Sequence, residues 1–263
     1  MQHRVFWLLW INIVKTLLQD KREGLLLLAG FLLIIAPMSL FVSHIDLLSE
    51  VCDVVGFSFT AMTDSAGSKG FLITLSVLVF ISWRIIGFNR TFLAKLFQLG
   101  VILVIGFAAK TGLKHVTESP RPYTELITHQ LLIPNPEHFY KLDAIQKEEV
   151  INEISQQVSP WRTSHWQGEK DYSFPSGHTI FAAICLAFFG GLFMQHKRYG
   201  LVLMVGLWAV CVGYSRLWLG MHRPSDLVGS ILFVAAVYAL MPSFSQLGLR
   251  VMEKLKYPAH IHR

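Results

Sequence analysis

Charge is scarce in this 263-residue sequence: Asp, Glu, Lys and Arg make up 15% of it, against 53% hydrophobic residues. That is too little polar surface for a soluble domain of this length. The apolar residues gather into blocks near the roughly 20 residues that span a hydrocarbon core, so an integral membrane protein is the expected class. Cysteine is also sparse and odd in number, at Cys52, Cys185 and Cys211. Two of these fall inside apolar blocks, where free thiols are ordinary packing residues, which argues against a disulfide framework and a thiolate metal site. The sequence has no H-E-x-x-H, no Cys/His pairing and no carboxylate cluster at the outer ends of the apolar blocks. No metal and no other cofactor is therefore expected. A basic stripe is missing too: the net charge is +6, but its Lys and Arg sit between apolar blocks, which points to membrane topology and away from nucleic acid. Arg4 and the apolar run Val5 to Val14 are followed by no small-residue cleavage site, so residues 1–23 are expected to lie in the interface uncleaved. With no repeat and no Gly/Ser linker, residues 1–263 read as one domain.

What is present has an order. Hydropathy predicts an all-α bundle with six transmembrane helices at about Gly24 to Val42, Gly70 to Phe88, Leu96 to Leu113, His178 to Met194, Leu201 to Gly220 and Asp226 to Phe244. Lys15, Lys21 and Arg22, then Arg84, Arg90 and Lys95, then Lys197 and Arg198, then Arg250, Lys254, Lys256 and Arg263 all flank one side. The positive-inside bias makes that side cytoplasmic, with both termini on it. The loop between the first two spans carries Asp46, Glu50, Asp53 and Asp64 against Lys69 and is expected outside. The largest polar insertion, residues 115–172, then lies outside between the third and fourth spans. Within it Leu142, Ile145, Ile151, Ile154 and Val158 recur at helical spacing after Asn135 and Pro136, which predicts an amphipathic helix and a partly helical cap.

Three short stretches fall at the outer ends of these spans. Lys114 and Arg121, in K-H-V-T-E-S-P-R-P, offer a compact charge and a planar fork suited to phosphate oxygens, although on their own they read equally as interfacial cations that snorkel. Ser176, Gly177 and His178, in F-P-S-G-H, open an apolar helix; they form either an anion-binding helix start or a plain cap with a satisfied histidine. In the third stretch, Ser215 to Asp226, Pro224 fits the first helical position and Asp226 the third, from which it can reach back to His222. A carboxylate on one imidazole nitrogen fixes the tautomer and leaves the other nitrogen free. Arg216 and His222 are costly to keep beside lipid without a role.

These stretches resemble the signature of the type 2 phosphatidic acid phosphatase superfamily, K-x6-R-P, P-S-G-H and S-R-x5-H-x3-D, with every motif position intact over about residues 114–226. Arg162 to Trp166 followed by Phe174 to Ala183 is similar to the superfamily's bacterial phosphatidylglycerophosphatase group. The resemblance implies a lipid phosphate hydrolase with six spans, seated in a bacterial inner membrane and facing the periplasm. It implies His222 as nucleophile forming a phosphohistidine, Asp226 orienting it, His178 as general acid and base, and Lys114, Arg121, Ser176, Gly177 and Arg216 around the phosphate. The implied substrates are phosphatidylglycerophosphate, giving phosphatidylglycerol, then undecaprenyl diphosphate, phosphatidate, lysophosphatidate and diacylglycerol diphosphate. The expected partners are these substrates and membrane lipids, with no obligate protein partner. A phosphotransferase of the same fold and a non-enzymatic transporter are the competing readings. Trp161, Arg162 and Trp166 are candidates for headgroup contact or for packing, and structural or headgroup roles are expected for His115 and His165.

Overall fold

The structure is a computed structural model, and it describes residues 20–38, 40–42, 45–242 and 244. Most of the interfacial segment and the basic C-terminal tail expected from the sequence lie outside the described residues. Among the described residues all regular structure is helical, as expected from hydropathy. The membrane-type helices are α1 (Arg22–Met38), α2 (Asp53–Ala66), α3 (Phe71–Ile86) and α4 (Arg90–Thr117). Four short helices form the insertion: α5 (Pro122–His129), α6 (His138–Lys141), α7 (Ala144–Ile154) and α8 (Pro160–Gly168). Next come α9 (Gly177–Cys185), a π-helical turn at Leu186–Gly190 and α10 (Gly191–Gln195), which form one continuous rod. α11 (Tyr199–Trp218) and α12 (Pro224–Leu240) complete the order.

Three helical stretches, starting at Arg90, Gly177 and Tyr199, are long and apolar enough to cross a membrane. A fourth is reached if α2 and α3, bent by 68° at their junction, count as one span. α12 is apolar but shorter, and seventeen residues at about 1.5 Å each cover roughly 25 Å of a roughly 30 Å core. The bent pair changes the expected picture, because the outer loop before the second span contains helix α2. Val54 and Phe57 on α2 are 76% and 64% exposed, so α2 offers apolar side chains outward. Gly70 makes the bend possible, since a Cβ there would sit 2.6 Å from the Asp64 carbonyl oxygen.

The rod from Gly177 to Gln195 is the centre of the bundle, with 83% of its apolar window buried, and it packs against α1, α4, α11 and α12. Lipid offers little hydrophobic drive between helices, so close backbone approach and dispersion must hold them. Small residues allow it: a Cβ on Gly191 would lie 3.0 Å from the Gly24 backbone nitrogen. α4 extends beyond the expected third span at both ends, starting where the Asn89 side chain accepts the Phe92 N–H and stopping where Glu118 turns left-handed at φ 44°.

Over the bundle sits the cap formed by residues 115–172, with its own core of Tyr123, Ile127, Phe139, Ile151, Ile154, Val158 and Trp166 packed on Trp218, Leu219 and Met221. The predicted amphipathic helix is present, but Ile145 is 70% exposed instead of buried. The helix starts at an Asp143/Gln146 capping box, and that start turns its second residue, Ile145, away from the face that Ile151 and Ile154 bury. The Trp166 indole stacks on Tyr123 with centroids 5.0 Å apart and donates to the Leu219 carbonyl at 2.7 Å. The cap is thereby tied to the turn that leads into His222.

Candidate active site

The three signature stretches meet under the cap. Lys114 rides the last turn of α4 and Arg121 caps α5, whose first residue is Pro122. Arg121 is fully buried and its guanidinium donates to the Met221 carbonyl at 3.0 Å, beside His222 Nε2 at 3.5 Å. The Tyr123 N–H donates to the Gly220 carbonyl at 3.0 Å, joining the first stretch to the third. Gly220 has φ +67°, which lets the chain leave α11 sharply toward His222, and a Cβ there would meet Leu47 at 2.8 Å. α12 starts as the sequence predicts, with Pro224 in the first turn and Asp226 at the third position.

Asp226 accepts the Arg223 N–H at 2.8 Å and lies 3.5 Å from His222 Nδ1. The Ser173 hydroxyl stands between them, 3.3 Å from Nδ1 and donating to the Asp226 carboxylate at 2.5 Å. Nδ1 thus faces a serine and a carboxylate, while Nε2 faces the Arg121 guanidinium. Burial holds the His222 imidazole down to about 3, against the opposing pull of Asp226 and with Arg121 and Arg216 adding to the depression. At neutral pH it is uncharged and keeps a lone pair.

Glu169 and Asp171 knit the cations together, and the sequence reading missed both. Glu169 accepts from Arg216 at 2.8 Å and from Arg121 at 3.1 Å, and His178 Nε2 lies 4.0 Å from it. Asp171 accepts from Lys114 at 2.7 Å and from Arg121 at 2.6 Å. Burial pushes the Glu169 carboxyl up, but Arg216 and Arg121 outweigh it and hold the group well below the ordinary carboxylate range. The same contest, with Arg121 and Lys114, keeps Asp171 low. Two carboxylates therefore occupy donors of all three cations. The available signal was the E-K-D run at Glu169 to Asp171, two carboxylates a few residues ahead of the F-P-S-G-H stretch.

Ser176 is the N-cap of α9: it is buried, and its hydroxyl accepts the Thr179 N–H at 3.3 Å, so its capping role is the one the geometry displays. The first amides of that helix, at Gly177 and His178, have no intrahelical acceptor, as at any helix start. His178 is pressed close to Gly67, where a Cβ would stand 2.7 Å from Nε2. Arg216 also donates to the Thr63 hydroxyl at 2.7 Å, while its Nε has no partner among the described residues. Of the candidates for headgroup contact, Trp166 is fully buried. Arg162 donates to the carbonyls of Asp46, Leu47 and Ser49, and Trp161 donates to Asp53 at 3.1 Å. Burial and Arg216 hold His165 down to about 4. No group of three or more His, Cys, Asp or Glu residues able to hold a metal occurs among the described residues.

The profile of the PAP2 superfamily matches residues 95–248, more than half of the chain and all three stretches. The chain belongs to the PAP2 superfamily. It is 34% identical over 154 residues to phosphatidylglycerophosphatase B of Haemophilus influenzae, covering 56% of this chain and 64% of that protein. Against phosphatidylglycerophosphatase B of Escherichia coli K12 it is 32% identical over 168 residues, covering 63% of this chain and 65% of that one. These matches span just under two thirds of the relatives' lengths. A shorter similarity, 35% over 78 residues, relates it to the undecaprenyl-diphosphatase BcrC of Bacillus subtilis, covering 29% of this chain and 37% of that protein.

Proposed function

We propose that this PAP2 protein is a membrane lipid phosphatase that hydrolyses phosphatidylglycerophosphate to phosphatidylglycerol and phosphate, and also undecaprenyl diphosphate and related lipid phosphates. The observation that carries the reading is the orientation of His222, whose Nε2 lies 3.5 Å from the buried Arg121 guanidinium while Nδ1 faces Ser173 and Asp226. A neutral imidazole aimed at fixed cations is what attack on phosphorus requires.

The chemistry follows from these positions. The phosphate displaces Glu169 and Asp171 from Arg121, Arg216 and Lys114, and the amides of Gly177 and His178 complete the cradle behind the Ser176 cap. Nε2 of His222 attacks phosphorus, the bond from phosphorus to the leaving oxygen breaks, and His178 gives that oxygen its proton. Asp226 and Ser173 hold the imidazolium formed on His222. Water then attacks the phosphohistidine, His178 takes the water's proton, and the P–N bond breaks to release phosphate. Charge spreading over the equatorial oxygens in both steps is met by three fixed cations, and no metal is required.

The two relatives named phosphatidylglycerophosphatase B support the first substrate, and the undecaprenyl-diphosphatase similarity supports the second. The reading includes six spans, with α1 and α12 completing the count, both termini in the cytoplasm and the site open to the periplasm of a bacterial inner membrane. The flanking cations and the acidic loop around Asp46 and Asp53 support that orientation.

The test is inorganic phosphate release by purified protein in detergent across a panel of lipid phosphates and diphosphates, with His222→Ala beside the parent. Release by the parent and none by a monodisperse His222→Ala is the expected result. Release only when an acceptor lipid is added would replace hydrolase by phosphotransferase, and full activity of His222→Ala would overturn the mechanism.

A further inference from the structure

α2 lies against α11, with the Ser65 hydroxyl accepting from the Trp208 indole at 2.9 Å. Past the 68° bend between α2 and α3, an open groove of about 720 Å³ separates the last turns of α3 from the first turns of α11. Its volume is within the range of small-molecule sites. The groove is at the end of the bundle away from the candidate active site: Gly200, in its lining, precedes Arg216 on α11 by roughly 24 Å along the helix axis.

The floor of the groove is apolar, built from Phe80 and Ile81 of α3 and from Leu201 and Met204 of α11. Phe80 and Met204 are 56% and 66% exposed. Arg84 lies one turn beyond Phe80 on the same face of α3, so its guanidinium stands at one end of the floor, in the last turn of the helix. Lys197 and Arg198, in the turn from α10 to α11, line the same groove. All three cations are exposed, and none of their side chains has a hydrogen bond or ion pair among the described residues. No carboxylate among the described residues lines the groove. Lys197 has φ +57°, at the position after a helix where glycine or asparagine is usual. A lysine there strains the backbone where glycine would not, and what it adds is a charge.

Three cations without partners fit an anion, and the apolar floor beside them fits a hydrocarbon chain. We infer that this groove binds one anionic phospholipid, with its phosphodiester on Arg84, Lys197 and Arg198 and an acyl chain along Phe80, Ile81, Leu201 and Met204. Scattered interfacial cations snorkel to whatever headgroups are near; here the charges converge on one groove, so a single lipid is held. It belongs to the leaflet opposite the candidate active site, the cytoplasmic one in the orientation proposed above, and is therefore not the substrate. Bound there, the lipid bridges α3 to α11 where the bend has parted them and stabilises the bundle.

The experiment is native mass spectrometry of the purified full chain in detergent with an equimolar mixture of phosphatidylglycerol and phosphatidylethanolamine. The parent is expected to retain phosphatidylglycerol over phosphatidylethanolamine by about tenfold or more, and Arg84→Gln and Lys197→Gln each to cut that preference by about fivefold. Arg84→Lys, which keeps the charge, is expected to preserve most of it and controls for folding. Met204→Trp fills the groove, leaves the cations in place and is expected to lower retention of both lipids. Equal retention of the two lipids by the parent would overturn the proposal. So would a full preference kept by both Gln variants, as binding confined to the active-site cations would give, or a doubled mass with a second copy of the chain in place of lipid. The measurement needs no phosphate release, so either result leaves the phosphatase reading as it stands.

Discussion

Replacing Glu169 by Gln removes one charge from the centre of the site with little change of shape, and two opposite effects follow. Arg216 and Arg121 are fully buried, and Glu169 pairs with both, at 2.8 and 3.1 Å. Removing one partner of an enclosed ion pair costs about 3–5 kcal/mol. The Glu169 side chain is 30% exposed, so water recovers part of that loss and about 2 kcal/mol is the expected destabilisation. For a chain of this size that corresponds to a fall of roughly 4–8 °C in Tm. The second effect is on ligand affinity: inorganic phosphate no longer competes with Glu169 for the two guanidiniums, although Asp171 still holds Arg121 at 2.6 Å, and about tenfold tighter binding is expected from one charge-assisted hydrogen bond gained at Arg216. The assay is thermal unfolding in detergent across a phosphate titration, in which the variant melts lower without phosphate but is stabilised at lower phosphate concentration than the parent. Acid should loosen the same contacts in the parent. The folded-state pKa of Glu169 lies below its ordinary value, so its contribution is complete above the ordinary carboxylate range near about 4.3 and is lost as pH falls through the folded value. If Glu169→Gln melts like the parent and binds phosphate no better, the carboxylate does not hold the cradle and the displacement step is wrong.

Gly67→Ala would put a methyl group 2.7 Å from His178 Nε2; phosphate release should fall by about tenfold or more from misplacing the proton donor, with Tm nearly unchanged, and parental activity would show that the histidine is free to move. Asp226→Asn should cut kcat strongly while leaving the phosphate dependence of Tm intact, since the carboxylate contacts His222, Ser173 and the Arg223 amide but not the cradle; equal loss of phosphate binding would contradict that division. Trp166→Ala removes a fully buried indole and its bond to Leu219 and should cost about 3–5 kcal/mol, read as loss of thermal stability and of activity together. Excess chelator should leave phosphate release unchanged, and inhibition reversed by a divalent metal would require a different mechanism.

Local spacing decided much of this protein before any tertiary contact was known. The apolar blocks mark the helices, and Pro224 and Asp226 mark the start of α12. The intervals from Lys114 to Arg121 and from Arg216 through His222 to Asp226 each run from the end of one helix to the start of the next, which is why they can be read along the chain. The burial of Ile145, by contrast, was misjudged because periodicity gives a helix its stripe but not the direction in which the stripe faces, which the Asp143 cap set. The bend between α2 and α3, and the use of short helices for α1 and α12, depend on packing around the central rod. Glu169, Asp171 and Ser173 have no spacing rule of their own. They matter because the cap folds back over the bundle and brings a loop's carboxylates and hydroxyl onto cations and an imidazole from three other elements, and the charge balance that results is a property of that meeting in space.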